Sequence, residues 1–106
     1  MSEPQVSQSV VAQPLVEELP LPFDANLFGG KEVLRAFVIN GELQVTLDDA
    51  FEDTAVWGVM LVDIARHIVT MRERATKLPR SQILRDIGQS FDQEWLNAED
   101  EAAAGG

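Results

Sequence analysis

The dipeptide Asn40-Gly41, set inside VLRAFVINGELQVTL, constrains this chain more than any other feature. Apolar residues recur on both sides of it. Asparagine and glycine both tolerate positive φ, which a two-residue type I′ turn needs at its two central positions. Such a turn fixes the pairing: Ile39 faces Glu42, Val38 faces Leu43, Phe37 faces Gln44, Ala36 faces Val45 and Leu34 faces Leu47. Side chains alternate between the two faces of a hairpin. One face then carries Leu34, Ala36, Val38, Leu43, Val45 and Leu47, is wholly apolar, and is expected to be the core face. The other carries Val33, Arg35, Phe37 and Ile39 on its first strand and Glu42, Gln44 and Thr46 on its second. A one-residue slip would scramble this pattern, so the register is well specified.

An isolated two-stranded hairpin is marginal in water and needs a covering element or further strands. Two helices follow that can supply cover. In DDAFEDTAVWGVMLVDIARHIVTMRERATKLP, Asp53 is the expected N-cap, with Asp49 an earlier alternative at capping-box spacing from Glu52. Trp57, Met60, Leu61, Ile64, Ile68 and Met71 form one stripe at helical spacing, while Val59, Val62 and Val69 fall beside Ala55 on the far side. Arg72, Arg74 and Lys77 suit the negative end of the helix dipole, and Leu78-Pro79 ends the helix. A second helix is expected from an N-cap at Ser81, with Ile83, Leu84, Ile87, Phe91 and Trp95 on one face. Gly58 and Gly88 sit inside these helices at a cost near ~1 kcal/mol each, either tolerated or marking close helix approach. The fold expected is α+β, in the order β-β-α-α, with the hairpin packed on the first helix.

The flanks differ in composition. Residues 1–22 carry Pro4, Pro14, Pro20 and Pro22 and are expected to be a flexible, extended segment, or an arm docked on the domain. Residues 97–106, NAEDEAAAGG, are expected to be a frayed helix end and then a disordered acidic tail. Residues 23–96 are left as a single domain.

At this point the residues carry a resemblance. WGVMLVDIARHI, together with VLRAFVINGELQVTL and the later Phe91, Glu94 and Trp95, resembles a family of small uncharacterised bacterial proteins, mostly alphaproteobacterial, grouped as a domain of unknown function. The shared pattern is a hairpin with an Asn-Gly-like turn, then a Trp-Gly-x-Met-Leu helix carrying Ala-Arg-His. It spans residues 31–96 and leaves both flanks outside. Family members often place proline where Thr54 stands, which agrees with Asp53 as the cap. The resemblance implies this fold and a bacterial cytoplasmic setting, and carries no activity.

Charge and composition exclude several classes of function. The chain has no cysteine, so disulfides and thiolate metal sites are absent, and its formal charge of −10 disfavours phosphate backbones and anionic lipids as main partners. No secretory signal or membrane-length apolar run is visible, so a cytoplasmic location is expected. A single histidine is a poor basis for a zinc site, and the acids Asp48, Asp49, Glu52 and Asp53 lack EF-hand spacing, so no metal or other cofactor is expected. Ser81 and Ser90 have no activating neighbours, and Phe28-Gly29-Gly30-Lys31 lacks the phosphate-loop spacing, so its glycines are read as the turn leading into the first strand.

Two readings of function remain. The first is a non-enzymatic protein-protein interaction module, self-associating as a homodimer through the hairpin, with Val33, Phe37 and Ile39 as the contact patch. The alternative is a binding or catalytic protein for a small anionic ligand. It would use His67, oriented by Asp63 four residues earlier, and the basic helix-helix connector bearing Arg72, Lys77 and Arg80. Residues 42–65 hold six acids and no base, whereas residues 66–85 hold Arg66, Arg72, Arg74, Lys77, Arg80 and Arg85 against Glu73 alone. Opposed poles of this kind favour antiparallel self-association.

Overall fold

The computed structural model describes residues 15–105, so expectations for residues 1–14 lie outside the described part. The elements run in the order α1 (Phe23–Phe28), β1 (Leu34–Ile39), β2 (Glu42–Leu47), α2 (Ala55–Thr76) and α3 (Arg80–Gly105). A hairpin followed by two long helices is the β-β-α-α order of an α+β protein. The chain divides into two units, Met1–Asp48 and Asp49–Gly106.

In the first unit, residues 16–22 have no regular secondary structure and lead into α1. Pro22 sits at φ −58° and ψ 145°, and its carbonyl accepts the N–H groups of Ala25 and Asn26 at 3.1 and 3.4 Å. The helix stops at Gly29, whose φ of +80° lets its N–H turn back to the Ala25 carbonyl at 3.0 Å. This short helix was not expected from the sequence, where its closing glycines were read only as a turn.

The hairpin has the expected register at every pair, from Ile39↔Glu42 to Leu34↔Leu47. Asn40 at φ +53° and Gly41 at φ +82° have the positive φ values of a type I′ turn. The ladder continues one step past the strands, through Asp48 N–H donating to the Val33 carbonyl at 3.0 Å. Lys31 Nζ lies 3.0 Å from Asp48 Oδ2 and ties the open end.

Among the described residues of the first unit, no helix packs on the face expected to be core. Val38 is 75% exposed and Leu43 69%, and Val45 and Leu47 are also exposed. A two-stranded sheet has two faces and two edges, and turn chemistry specifies register without specifying what lies over either face.

The second unit is a helix pair. Asp53 caps α2 as expected: its Oδ1 accepts the Ala55 N–H at 2.9 Å, and its carbonyl accepts the Val56 N–H at 3.0 Å. Phe51 packs edge-on against Trp57 at 5.1 Å between ring centroids, fixing the chain where it enters the helix. At the far end, the Thr76 hydroxyl donates to the Arg72 carbonyl at 2.7 Å. Lys77 turns left-handed at φ +65°, and its N–H donates to the Glu73 carbonyl at 3.0 Å. The chain then passes Leu78-Pro79 and starts α3 at Arg80.

That start lies one residue before the expected cap, Ser81. The Pro79 carbonyl accepts the N–H groups of Gln82 and Ile83 at 3.0 and 3.1 Å, so proline takes the cap position, where its missing N–H costs nothing. The helix continues to Gly105, through the stretch read as a disordered acidic tail. Alanine and glutamate favour helix strongly, and NAEDEAAAG is built largely from them.

The helices meet through Val69 and Ile83, 3% and 5% exposed, which are the buried apolar side chains among the described residues. Burying such a side chain contributes roughly 1.5–3 kcal/mol. Trp57, Met60 and Ile64 are half-buried, but Leu61, Ile68 and Met71 of the same stripe are exposed. A Cβ at Gly58 or Gly88 would meet nothing within 4 Å, so neither glycine marks close helix approach.

Candidate functional site

His67 and Asp63 lie one turn apart on α2, with Nε2 3.4 Å from the carboxylate, which also holds Arg66 at 3.7 Å. All three are well exposed. Their spacing is the i, i+3 and i, i+4 geometry of any helix surface. Water therefore screens the pair, and the convex side of a helix supplies no walls for a substrate.

The connector residues do not converge. Arg80 Nη1 lies 2.9 Å from Glu73 Oε1 and 3.4 Å from the Thr70 hydroxyl, so its guanidinium already bridges α2 and α3. Arg72 and Lys77 are exposed and make no ion pair among the described residues. A concavity of about 270 Å³ lies between the helices, lined by Arg66, Val69, Arg80, Ser81 and Leu84. It brings together two arginines, of which the sequence had pointed only to Arg80. Among the described residues no group of three or more His, Asp and Glu is placed to hold a metal ion. No described helix is long and apolar enough to cross a membrane.

The hairpin presents more apolar surface. On the face carrying the expected contact patch, Val33 and Phe37 are half-buried and Ile39 is exposed. Arg35 sits among them, its guanidinium 5.8 Å from the Phe37 ring centroid. It bonds Glu32 at 3.0 Å and, across 17 residues of sequence, Glu18 at 2.9 Å. The hydrogen bonds to Glu32 and then Glu18 hold the guanidinium above its ordinary pKa. The segment before α1 is thus tethered to β1. The opposite face, with Ala36, Val38, Leu43, Val45 and Leu47, is exposed and carries no charge.

A second apolar surface lies on α3. Phe91 and Trp95 stack at 5.8 Å with their rings 11° apart, and they flank a shallow channel with Ile87 and Ala98. Both rings are about half exposed, at 50% and 54%. The sequence had placed them on the face that packs within the chain. The visible clue was the run Leu84, Ile87, Phe91, Trp95, Ala98, whose spacing continues beyond the single buried residue Ile83.

Comparison with known proteins adds a family and a structure. No curated protein matches the chain. A solved structure from the photosynthetic bacterium Rhodopseudomonas palustrus CGA009, described provisionally as a pyruvate dehydrogenase, is 38% identical with a TM-score of 0.66. The match covers 79% of this chain and 87% of that one. Residues 18–98 match the family described as Domain of unknown function (DUF5076). That match takes in the Glu18 tether, the hairpin, all of α2 and most of α3, and the chain belongs to this family.

Proposed function

We propose that this protein is a non-enzymatic interaction module of the bacterial cytoplasm that works as a self-associated assembly, with the hairpin as its contact surface. The observation that carries this reading is the uncharged face of Ala36, Val38, Leu43, Val45 and Leu47, which the described residues of its own unit leave exposed. Surfaces of this kind mark contact sites. The hairpin also has unpaired edges, and pairing with a second copy would give the three or more strands that a stable sheet needs. Ile39, with Val33 and Phe37 behind it, extends the contact around the strand. A charge of −10 per chain speaks for protein partners over nucleic acid or anionic membrane.

Light scattering across a concentration series tests the proposal. The expected mass is twice the 11.7 kDa of one chain. Val45→Asp should return it to the monomer value while the helical circular dichroism persists, and Phe37→Asp should weaken assembly less. A monomer at every concentration, or a Val45→Asp protein that still assembles, would overturn it.

One observation favours a second reading. The concavity between the helices gathers Arg66, Arg80 and Ser81, a set suited to a small anion. In that reading Asp63 orients His67 on the same helix, and Arg72 and Lys77 add positive charge. Inorganic phosphate should then raise the melting temperature, and Arg66→Ala should abolish the rise. No rise in the unaltered protein would sink this reading.

A further inference from the structure

The C-terminal part of α3 has an apolar face that the described residues of its own unit leave exposed, and a charge pattern that says what belongs there. Leu84, Ile87, Phe91, Trp95 and Ala98 follow the three- and four-residue spacing of a helix-helix seam. Leu84, Phe91 and Trp95 are all exposed, and only Ile87 is half-buried. The only bases on α3 are Arg80 and Arg85, in its first two turns. The acids Asp86, Asp92, Glu94, Glu99, Asp100 and Glu101 all lie after them.

We propose that α3 pairs antiparallel with α3 of a second copy of this chain, crossing at Phe91. This inference rests on the self-association reading and adds a second contact to it, so that the hairpin and α3 hold the dimer together. An isologous seam centred on Phe91 sets each residue against the one equally far on the other side of the crossing. Ile87 then meets Trp95 of the second copy, and Leu84 meets Ala98. Arg85 and Glu99 fall on the same flank of the helix, nearly equidistant from Phe91, so each seam forms the Arg85–Glu99 pair twice. Arg80 comes beside Glu101. A parallel arrangement would stack arginine on arginine and the acidic ends on one another, which like-charge repulsion disfavours. The charge gradient along α3 thus selects both the partner and its direction.

The full chain contains no cysteine, so single cysteines can carry spin labels without background. Positions 90, 97 and 104 are one heptad apart and share one side of α3. In the antiparallel seam, the axial separation between equivalent labels rises from near contact at 90 to about 18 Å at 97 and about 39 Å at 104, from the helical rise. A parallel pair would give equal distances at all three positions. Alongside, Arg85→Glu and Glu99→Arg should each weaken the dimer roughly tenfold through two symmetric pairs, and the double exchange should restore it.

A rising distance series with rescue by the double exchange supports the seam. A dimer with flat distances, no short distance at 90, or no rescue overturns the seam and leaves the self-association reading standing. A monomer at all concentrations overturns both.

Discussion

Replacing Ile83 by alanine tests whether the helix pair is held at the one place where it is closely packed. Ile83 is 5% exposed and meets α2 around Val69. The substitution removes three carbon groups at roughly 0.8 kcal/mol each, and the space left behind adds to the loss, for a total of about 2–5 kcal/mol. Leu84, its neighbour on the exposed face, provides the control. Leu84→Ala removes as many carbons from a side chain that its own chain leaves 55% exposed. In dilute protein it should cost well under half as much. Urea unfolding followed at 222 nm reads both. For a slope of about 1–2 kcal/mol per molar, Ile83→Ala lowers the midpoint by at least roughly 1 M. The comparison also reports on assembly. If α3 pairs with a second copy, the cost of Leu84→Ala grows with protein concentration, while that of Ile83→Ala does so far less. Equal costs for the two substitutions in dilute protein would refute the assignment of the helix contact to Val69 and Ile83.

Three other perturbations follow from the local geometry. Gly41→Ala places a Cβ at φ +82° and should destabilise the hairpin by about 1–2 kcal/mol, visible as faster amide exchange across β1 and β2. Asp53→Ala removes the acceptor for the Ala55 N–H and should cost about 0.5–2 kcal/mol in thermal unfolding, whereas Asp53→Asn should cost much less. Arg35→Gln cuts the tether to Glu18, so amide exchange at residues 16–22 should accelerate, as should high salt in the unaltered protein. Since its partners raise the Arg35 pKa, its contribution is fully present below the ordinary arginine pKa and is lost only as pH rises beyond that value. Titrating this arginine therefore leaves the tether unchanged near neutral pH.

The hairpin was legible in full because two independent signals agreed, the Asn-Gly turn and the two-residue alternation around it. The Asp53 cap was legible for the same reason, an acceptor placed just before a helical stripe. The helix Phe23–Phe28 was not, because six residues are too few to display a period, and its flanking proline and glycines are also the residues of a plain turn. At the C-terminus, low hydrophobicity points toward disorder while the alanine and glutamate content supports helix, so composition alone leaves both open. The widest difference concerns burial. Both faces of the hairpin and more than one side of each helix contain apolar residues. Pattern alone ranks such faces by composition and cannot say which one the chain covers. Ile83 and Leu84 are adjacent, similar in size and equally eligible, yet one is buried and the other open.

The three-residue link between the long helices contains no glycine, and it sets the mechanics of the second unit. Lys77 is held left-handed by its bond to Glu73, and Pro79 has a fixed φ, so the link is stiff. The Val69–Ile83 contact and the Arg80–Glu73 bridge both lie close to it. From the pivot at Ile83 to Gly105 α3 extends for about 33 Å, taking 1.5 Å per residue, and its residues from 89 onward are exposed. Such a helix is a lever. A tilt of about 10° at the pivot swings its far end by about 6 Å at that length. Whatever grips the far end therefore has mechanical advantage over the pivot, and small repacking around Val69 would be read out as a large displacement of the acidic tip.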